Sequence, residues 1–333
     1  MKKLSFLVAL LLCIFTFSTV AYASNATTET ATTEEPQVFT TEYPDDPSRA
    51  PDLVSESAVV MDANTGQILY EKNPYEHLYP ASITKVLTCL VALENADLSE
   101  TVTFSHDAIW NIDRNSSHIA LTDGEQLSVE DCLYAICIAS ANEAAYGLAE
   151  HVGGGSLSNF TDMMNAEAKR LGCENSNFVN ANGLHDENHY TCAYDMALIT
   201  REALNYKTFR TLTSGESYVI PATNKNDARE LYSKNKILNP SKDEYYEYAE
   251  GGKTGYTTDS LNTLVTYAKK DGLELVCVVL RCKGSHNAYT DTASLFRYCY
   301  NNYKVCYPLS DFTFDKLEDS SSNYITKNFD NTI

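Results

Sequence analysis

The chain has 333 residues, of which 44% are hydrophobic, and a formal charge of −20 at pH 7. This length is sufficient for one large domain or two ordinary ones, each with a sizeable core. The negative charge argues against nucleic acid as a partner, and also against electrostatic adhesion to anionic lipid or acidic wall polymers.

The first residues have the pattern of a secretory signal peptide, predicted to span residues 1–23. Lys2 and Lys3 precede an apolar stretch at residues 4–17, and Ala21-Tyr22-Ala23 fits a small-residue cleavage site. The apolar stretch is shorter than the ~20 residues that a helix needs to span a bilayer, so cleavage is favoured over anchoring. The sequence therefore predicts a secreted, extracytoplasmic protein.

The segments on either side of the expected domain differ from it in composition. Residues 24–50 are rich in Thr, Ser, Glu and Pro, which predicts a disordered leader. Residues 51–306 are expected to form the domain, and residues 307–333 an acidic tail rich in Ser and Asn. Neither the tail nor any later apolar stretch suggests a membrane span, so we expect no stable membrane anchor.

The strongest chemical signal in the first half is Pro80-Ala81-Ser82-Ile83-Thr84-Lys85, at the head of an apolar run. Pro80 suits the start of a helix, and the spacing of Ser82 and Lys85 places both side chains on one helix face. A serine hydroxyl is a poor nucleophile until a base takes its proton, and a buried lysine with a lowered pKa can be that base. Alone, this S-x-x-K spacing is common in helices with no catalytic role.

The order of the other elements predicts the fold class. A hairpin is predicted around the Ala63-Asn64-Thr65-Gly66 turn, and another around Asp271-Gly272. Between these hairpins the apolar spacing predicts helices, and a last helix follows the second hairpin. The predicted helices are residues 129–139, 144–151, 157–171, 192–204 and 285–302, and the late strands are residues 218–220, 255–257, 262–269 and 273–281. We therefore expect a single α+β domain in which the first hairpin joins the late strands and a helical lobe is inserted between them.

Two further motifs follow the S-x-x-K motif in a known order. Ser140-Ala141-Asn142 lies between two predicted helices, and Lys253-Thr254-Gly255 opens a predicted strand region. S-x-x-K, an S-x-N-type motif and K-T-G in this order are the signature of penicillin-binding proteins and class A β-lactamases. The chain resembles the D-alanyl-D-alanine carboxypeptidases, the low-molecular-weight penicillin-binding proteins, from about Ser55 to Tyr303.

This resemblance implies a fold and an activity. The fold would be an antiparallel five-stranded sheet flanked by helices with an inserted helical lobe, as in β-lactamases and transpeptidases. The protein would be a serine-type D-Ala-D-Ala carboxypeptidase that faces the cell wall and removes the terminal D-alanine from peptidoglycan stem peptides. Its partners would be those stem peptides as substrates and β-lactam antibiotics as inhibitors, and it would need no metal or other cofactor.

The resemblance also implies roles for four catalytic residues. Ser82 would attack the carbonyl of the penultimate D-alanine and form an acyl-enzyme, and Lys85 would accept its proton. Ser140 would relay a proton to the leaving amine. Asn142 would hold Lys85 and hydrogen-bond the substrate.

Four more residues would bind the substrate. Lys253 would supply positive charge for the terminal carboxylate, and Thr254 would donate a hydrogen bond. Gly255 would let a strand lie close to the substrate. The backbone N–H of Tyr256, together with that of Ser82, would form the oxyanion hole.

Three alternatives remain open at this stage. A class A β-lactamase needs a glutamate, usually in E-x-x-L-N, and the nearest match, Glu174-Asn175-Ser176-Asn177-Phe178, does not fit that pattern. His185 and His189 are four residues apart, a spacing that could bind zinc on a helix, as in a zinc D,D-peptidase. A catalytically idle wall-binding protein that captures penicillin is the third, although the complete motifs argue against it.

The ten cysteines allow no assignment of disulfides from the sequence. Cys13 lies in the predicted signal peptide, which leaves nine in the mature chain, and an odd number leaves at least one thiol unpaired. Cys89 lies in the predicted Ser82 helix, and Cys132 and Cys137 lie together in a later one. Most of these residues are expected to be small buried apolar side chains.

Overall fold

The structure, a computed structural model, describes residues 37–40 and 50–306. The predicted signal peptide, most of the predicted leader and the predicted tail lie outside these residues. The described strands are β1 Gln37–Thr40, β2 Ser57–Asp62, β3 Ile68–Lys72, β4 Thr101–Thr103, β5 Gln126–Ser128, β6 Ser217–Ile220, β7 Arg229–Tyr232, β8 Ala249–Thr257, β9 Leu261–Lys270, β10 Leu273–Cys282 and β11 Tyr303–Cys306. The helices are α1 Lys85–Asn95, α2 His106–Trp110, α3 Val129–Ile138, α4 Asn142–Val152, α5 Leu157–Arg170, α6 Ala193–Ala203, α7 Lys207–Ser214 and α8 Ser285–Asn302. Two short 3-10 helices lie at Ala81–Thr84 and Lys236–Leu238.

The main sheet has five antiparallel strands in the order β3-β2-β10-β9-β8. The N-terminal hairpin therefore pairs with the late strands, as the sequence predicts, because β2 lies against β10. The β9–β10 hairpin turns at Asp271 and Gly272, both of which have the positive φ that a tight turn requires. The predicted α+β class and the five-stranded sheet are both confirmed.

Side chains alternate between the two faces of this sheet, and each face is covered by helices. On β2, Val59 and Met61 belong to the core formed with the helical lobe. Ala58 and Val60 belong to the second core, which includes Phe296 of α8. Because a strand is buried on both faces only between two layers, the sheet lies between α8 and the helical lobe.

The helical lobe positions the first two motifs. Ser128 caps α3 by accepting a hydrogen bond from the Asp131 N–H (3.0 Å). α3 ends at Ile138 and α4 begins at Asn142, so Ser140 lies in the link between them with φ 59°. The lobe therefore presents the second motif at a sharp turn between two buried helices, both of which pack against α1.

Several short elements, and the 3-10 geometry of the turn that carries Ser82, are not predicted from the sequence. Ser82 lies in the 3-10 turn Ala81–Thr84 that precedes α1, not in the α-helix itself. β4, β5, α2, α7 and β7 were not predicted, and β1 falls inside the predicted leader, where it pairs with β11. Most of these elements are only three to five residues long, too short to show a period of their own. No helix among the described residues has the length and apolar character to cross a bilayer.

Candidate active site

Lys85 links the nucleophile candidate to the second motif. Its Nζ donates to Ser82 Oγ at 3.0 Å, to Asn142 Oδ1 at 2.7 Å and to the Asn182 carbonyl at 2.5 Å. An ammonium group would donate to all three; a neutral amine keeps two protons for Asn142 and Asn182 and turns its lone pair toward Ser82 Oγ, so these contacts fix its position in either form. Asn142 is itself fixed, because its Nδ2 donates to Ser116 Oγ at 2.7 Å.

The surroundings of Lys85 favour its neutral form. The side chain is 1% exposed, and burial together with the nearby Lys253 holds the pKa of Lys85 well below its usual value. A lysine that loses its proton readily can take one from a neighbouring hydroxyl. The geometry and the pKa direction together allow Lys85 to act as a general base toward Ser82.

Lys253 and Ser140 form a second pair on the other side of the cleft. Lys253 Nζ donates to Ser140 Oγ at 3.0 Å and to the Thr254 carbonyl at 2.8 Å. Burial lowers the pKa of Lys253 to about 8. The left-handed φ of Ser140 is unusual for a residue other than glycine and costs roughly 1 kcal/mol, a strain typical of functional sites.

The end of β8 lies directly beside the Ser82 turn. A Cβ atom on Gly255 would stand 2.4 Å from Thr263 Oγ1 and 2.9 Å from the Ser82 backbone nitrogen, so only glycine fits. Thr263 Oγ1 also donates to the Pro80 carbonyl at 2.8 Å and ties β9 to the same turn. These contacts bring two backbone segments together at one edge of the cleft. One carries the N–H of Ser82, in the first turn of its helix, and the other is the strand residue that follows Gly255.

A second glycine lies against the other side of the turn. Gly183 has φ +79°, and a Cβ there would lie 2.0 Å from the Ala81 carbonyl oxygen. Its neighbour Asn182 supplies the carbonyl that accepts from Lys85. The Asn182-Gly183 segment thus fixes both the base and the nucleophile turn.

We expect Gly183→Ala to lower both stability and reactivity. Gly172 provides the control, because it has φ +87° but a Cβ added there would meet no atom within 4 Å. Gly172→Ala should cost only the backbone penalty, about 1 kcal/mol, whereas Gly183→Ala should cost roughly 2–4 kcal/mol because the Ala81 backbone must also move. Urea unfolding measures the stability of both variants, and the reactivity of Ser82 toward an acylating probe should fall at least tenfold for Gly183→Ala alone. Equal effects of the two variants would contradict this view of the turn.

The predicted site residues surround one cleft of about 450 Å³. Ser82, Ser140, Asn142, Thr254, Gly255 and Tyr256 line it, while Lys85 and Lys253 are buried behind Ser82 and Ser140. The Tyr256 side chain is 63% exposed. All eight predicted residues therefore lie at one place.

Sequence reasoning assigned no role to three residues that the structure places at the site. Ser116 holds Asn142, Asn182 holds Lys85 through its carbonyl, and the exposed Lys234 lines the cleft. Ser116 lies in a loop whose position depends on α4, because the Asn142 N–H donates to the Ser117 carbonyl at 2.9 Å. No spacing rule links such loop residues to the motifs that they support.

The alternatives to a serine peptidase fit the geometry less well. His189 is buried with both ring nitrogens in use: Nδ1 accepts from the Val179 N–H at 3.0 Å, and Nε2 lies 2.8 Å from Thr84 Oγ1. Burial lowers the pKa of His189 to about 4, so the ring is neutral and structural. Glu174 precedes a segment held by Asp195, which accepts from the Asn175 N–H at 2.8 Å, and this segment does not contribute to the described cleft lining.

Comparisons with known proteins agree with this geometry. The family model of the D-alanyl-D-alanine carboxypeptidases, peptidase family S11, matches residues 45–284. The chain is 33% identical over 268 residues to D-alanyl-D-alanine carboxypeptidase DacF of Bacillus subtilis, covering 78% of this chain and 66% of that protein. The chain spans 64–66% of the length of the first curated relatives that it matches, just under two thirds.

Solved structures show the same fold. A D-alanyl-D-alanine carboxypeptidase from Mycobacterium tuberculosis is 27% identical, with a TM-score of 0.69 over 76% of this chain and 93% of that one. The DD-transpeptidase of Streptomyces K15 is 26% identical, with a TM-score of 0.71 over 76% of this chain and 99% of that one. The family match covers most of the chain and includes all three motifs: this protein belongs to the D-alanyl-D-alanine carboxypeptidase family, peptidase family S11.

Proposed function

We propose that the chain is a serine-type D-Ala-D-Ala carboxypeptidase that removes the terminal D-alanine from peptidoglycan stem peptides and is acylated by β-lactams at Ser82. The observation that carries this proposal is the contact between Lys85 Nζ and Ser82 Oγ at 3.0 Å, made by a buried lysine with a lowered pKa. The family and its relatives support the substrate class.

Acylation begins at Ser82. Neutral Lys85 accepts the hydroxyl proton while Ser82 Oγ attacks the carbonyl carbon of the penultimate D-alanine. The negative charge that develops on the carbonyl oxygen is stabilised by the backbone N–H groups of Ser82 and Tyr256, for which the position of Gly255 beside the Ser82 nitrogen provides the space. One such donor is typically worth ~3 kcal/mol.

The leaving group then needs a proton. Ser140 Oγ accepts a hydrogen bond from Lys253, so its own proton can pass to the departing D-alanine amine. Ser140 in turn takes up the proton that Lys85 received from Ser82, which returns Lys85 to its neutral form. Asn142 holds Lys85 in place during this transfer. Water then attacks the acyl-enzyme, with Lys85 again accepting a proton, and releases the shortened peptide.

The substrate's free carboxylate is bound on the Lys253 side. Lys253 is a cation in a site of low effective dielectric, where it attracts an anion more strongly than a lysine in bulk water does. Thr254 lines the cleft and can add a directed hydrogen bond. Although the chain charge is −20, the cleft is locally positive, because the exposed Lys234 lines it and protonated Lys253 lies directly behind Ser140.

Release of free D-alanine from a defined peptide tests the function. We expect the chain to release D-alanine from a peptide ending in D-Ala-D-Ala, and to do so at least tenfold less efficiently, in kcat/KM, when the terminal carboxylate is amidated. In Lys253→Ala the two peptides should differ less in kcat/KM, because this variant lacks the ammonium group that binds the free carboxylate but not the amide. Equal cleavage of acid and amide by the native chain would refute the carboxylate role.

The same assay separates the alternatives. A penicillin sink would form a stable adduct with benzylpenicillin but release no D-alanine, and a β-lactamase would hydrolyse the antibiotic with rapid turnover. The predicted signal peptide, residues 1–23, supports an extracytoplasmic location in which peptidoglycan is accessible.

The pH dependence of kcat/KM should be bell-shaped. Lys85 must be neutral, so activity is lost as the pH falls through its lowered pKa. Lys253 must be protonated, so activity is lost as the pH rises through about 8. In Lys253→Arg the alkaline limb should move upward by more than one pH unit, because a guanidinium group stays charged in this range. An alkaline limb that is unchanged in this variant would assign that limb to another group.

A further inference from the structure

Two cysteines that the proposed reaction does not use face each other beneath the catalytic residues. Cys89 lies on α1, one turn after Lys85, and Cys137 lies on α3, three residues before Ser140. Their Sγ atoms are 3.6 Å apart. Lys85 lies one turn from Cys89 on α1, and Ser140, which accepts from Lys253, lies three residues after Cys137, so the pair is close to both catalytic lysines.

We propose that Cys89 and Cys137 form a disulfide when the protein meets a small disulfide oxidant, and that this cross-link slows acylation of Ser82. The effect on acylation rests on the proposed function, whereas the cross-link itself does not. All eight cysteines within residues 50–305 are thiols in this structure, so the pair is in its reduced state.

The two thiols differ in solvent accessibility, so Cys137 reacts with the oxidant first and Cys89 second. Cys89 is fully buried, while Cys137 is half-buried and is the one that an oxidant can reach. The Cys137 thiolate attacks the oxidant disulfide and releases one equivalent of its thiol, leaving a mixed disulfide. Cys89 then attacks Cys137 Sγ, and its proton passes to the departing thiolate, which leaves as the second thiol. One oxidant disulfide is reduced to two thiols as the two cysteines are oxidised.

The cross-link would move the catalytic helices relative to each other. A disulfide bond is about 2.05 Å long, so the sulfurs must approach by roughly 1.5 Å from their present contact. Rotation of the two cysteine side chains supplies part of this movement, and because the interior is closely packed the rest falls on α1 and α3. Lys85 and Ser140 lie within one turn of the two cysteines, and their hydrogen bonds to Ser82 and Lys253 are both 3.0 Å long. A displacement of about 1 Å at such a site can cost as much as 100-fold in rate.

The test treats the full chain with 2-hydroxyethyl disulfide, a small uncharged oxidant, and follows two readouts. Peptide mapping without reduction should detect a Cys89–Cys137 cross-linked peptide. The rate of acylation by a fluorescent penicillin should fall about tenfold or more and recover on reduction with dithiothreitol. Cys89→Ala and Cys137→Ala should form no such peptide and should keep their acylation rate after oxidation.

Cys132→Ala is the matched control, because Cys132 is a buried cysteine on the same helix α3 as Cys137. It should respond to the oxidant as the native chain does. If Cys89→Ala does not fold, Cys137→Ala at the more exposed position carries the test, with Cys89→Ser as a second variant. Failure to find the cross-linked peptide overturns the proposal, as does a cross-linked protein that is acylated at the native rate. A reduced chain that takes up no penicillin would instead refute the proposed function, since the peptide map is independent of acylation.

Discussion

Replacing Ser82 with alanine should abolish covalent capture of penicillin and reduce D-alanine release by at least about 10⁴-fold. In serine hydrolases, loss of the nucleophile lowers kcat about as much as loss of all the catalytic residues together. The hydroxyl is a small part of the turn, whose position is set by backbone contacts from Gly183 and Gly255, so the fold should be kept. Intact-mass analysis after incubation with benzylpenicillin measures the adduct directly.

Ser140 provides the comparison for this result, because it is a second serine in the same cleft with its own lysine partner. Ser140→Ala should still form the adduct, only more slowly, since it keeps both Ser82 and Lys85. If Ser82→Ala retained an adduct, or if Ser140→Ala alone lost it, the nucleophile would be misassigned.

The second large effect is expected at Lys85. Lys85→Arg and Lys85→Met should each slow penicillin acylation about 10³-fold, within the range that general-base catalysis contributes. Arginine keeps a charge and hydrogen-bond donors but cannot give up its proton at these pH values, so it separates proton transfer from positioning. Methionine keeps an unbranched chain of similar length without charge or donors, and stopped-flow acylation measures both variants.

Lys85→Met should change the free energy of unfolding only slightly. Lys85→Met removes a buried amine whose charged form carries a desolvation cost, but it leaves Asn142 Oδ1 and the Asn182 carbonyl without their donor. These effects oppose each other, so the change in unfolding free energy should be small beside the loss of rate. An acylation rate for Lys85→Arg within tenfold of the native rate would show that Lys85 positions Ser82 without accepting its proton.

The sequence predicts the motif residues and the sheet well, for identifiable reasons. Strands such as β10 are continuous apolar runs next to an Asp-Gly turn, and a helix such as α8 is long enough to show its own boundaries; its predicted range, residues 285–302, matches the structure. Each of the three motifs is common by itself, but their occurrence together in this order is specific to one type of active site. Local patterns of this kind survive folding because tertiary contacts reinforce them.

The supporting residues could not be predicted, because their roles arise only from contacts made across the chain. Ser116 meets Asn142 across 26 positions, and the Asn182 carbonyl meets Lys85 across 97. A backbone carbonyl has no signature in the sequence at all. The 3-10 form of the Ser82 turn also depends on distant segments, because Gly183 and Gly255 pack against the turn and Thr263 donates a hydrogen bond to the Pro80 carbonyl. Local propensity alone would extend α1 through Ser82.

The central place of β2 in the sheet has a consequence for how the chain becomes folded. β2 is formed early in synthesis, yet its partner β10 is formed only near the end, and nearby Ser55 donates to Asp291 at 2.7 Å across 236 positions. Until β10 is made, β2 is an apolar strand with one of its edges uncovered, a state that is prone to aggregate. The sheet can close only after almost the whole domain is available. Such a topology delays completion of the fold during synthesis until β10 has been made.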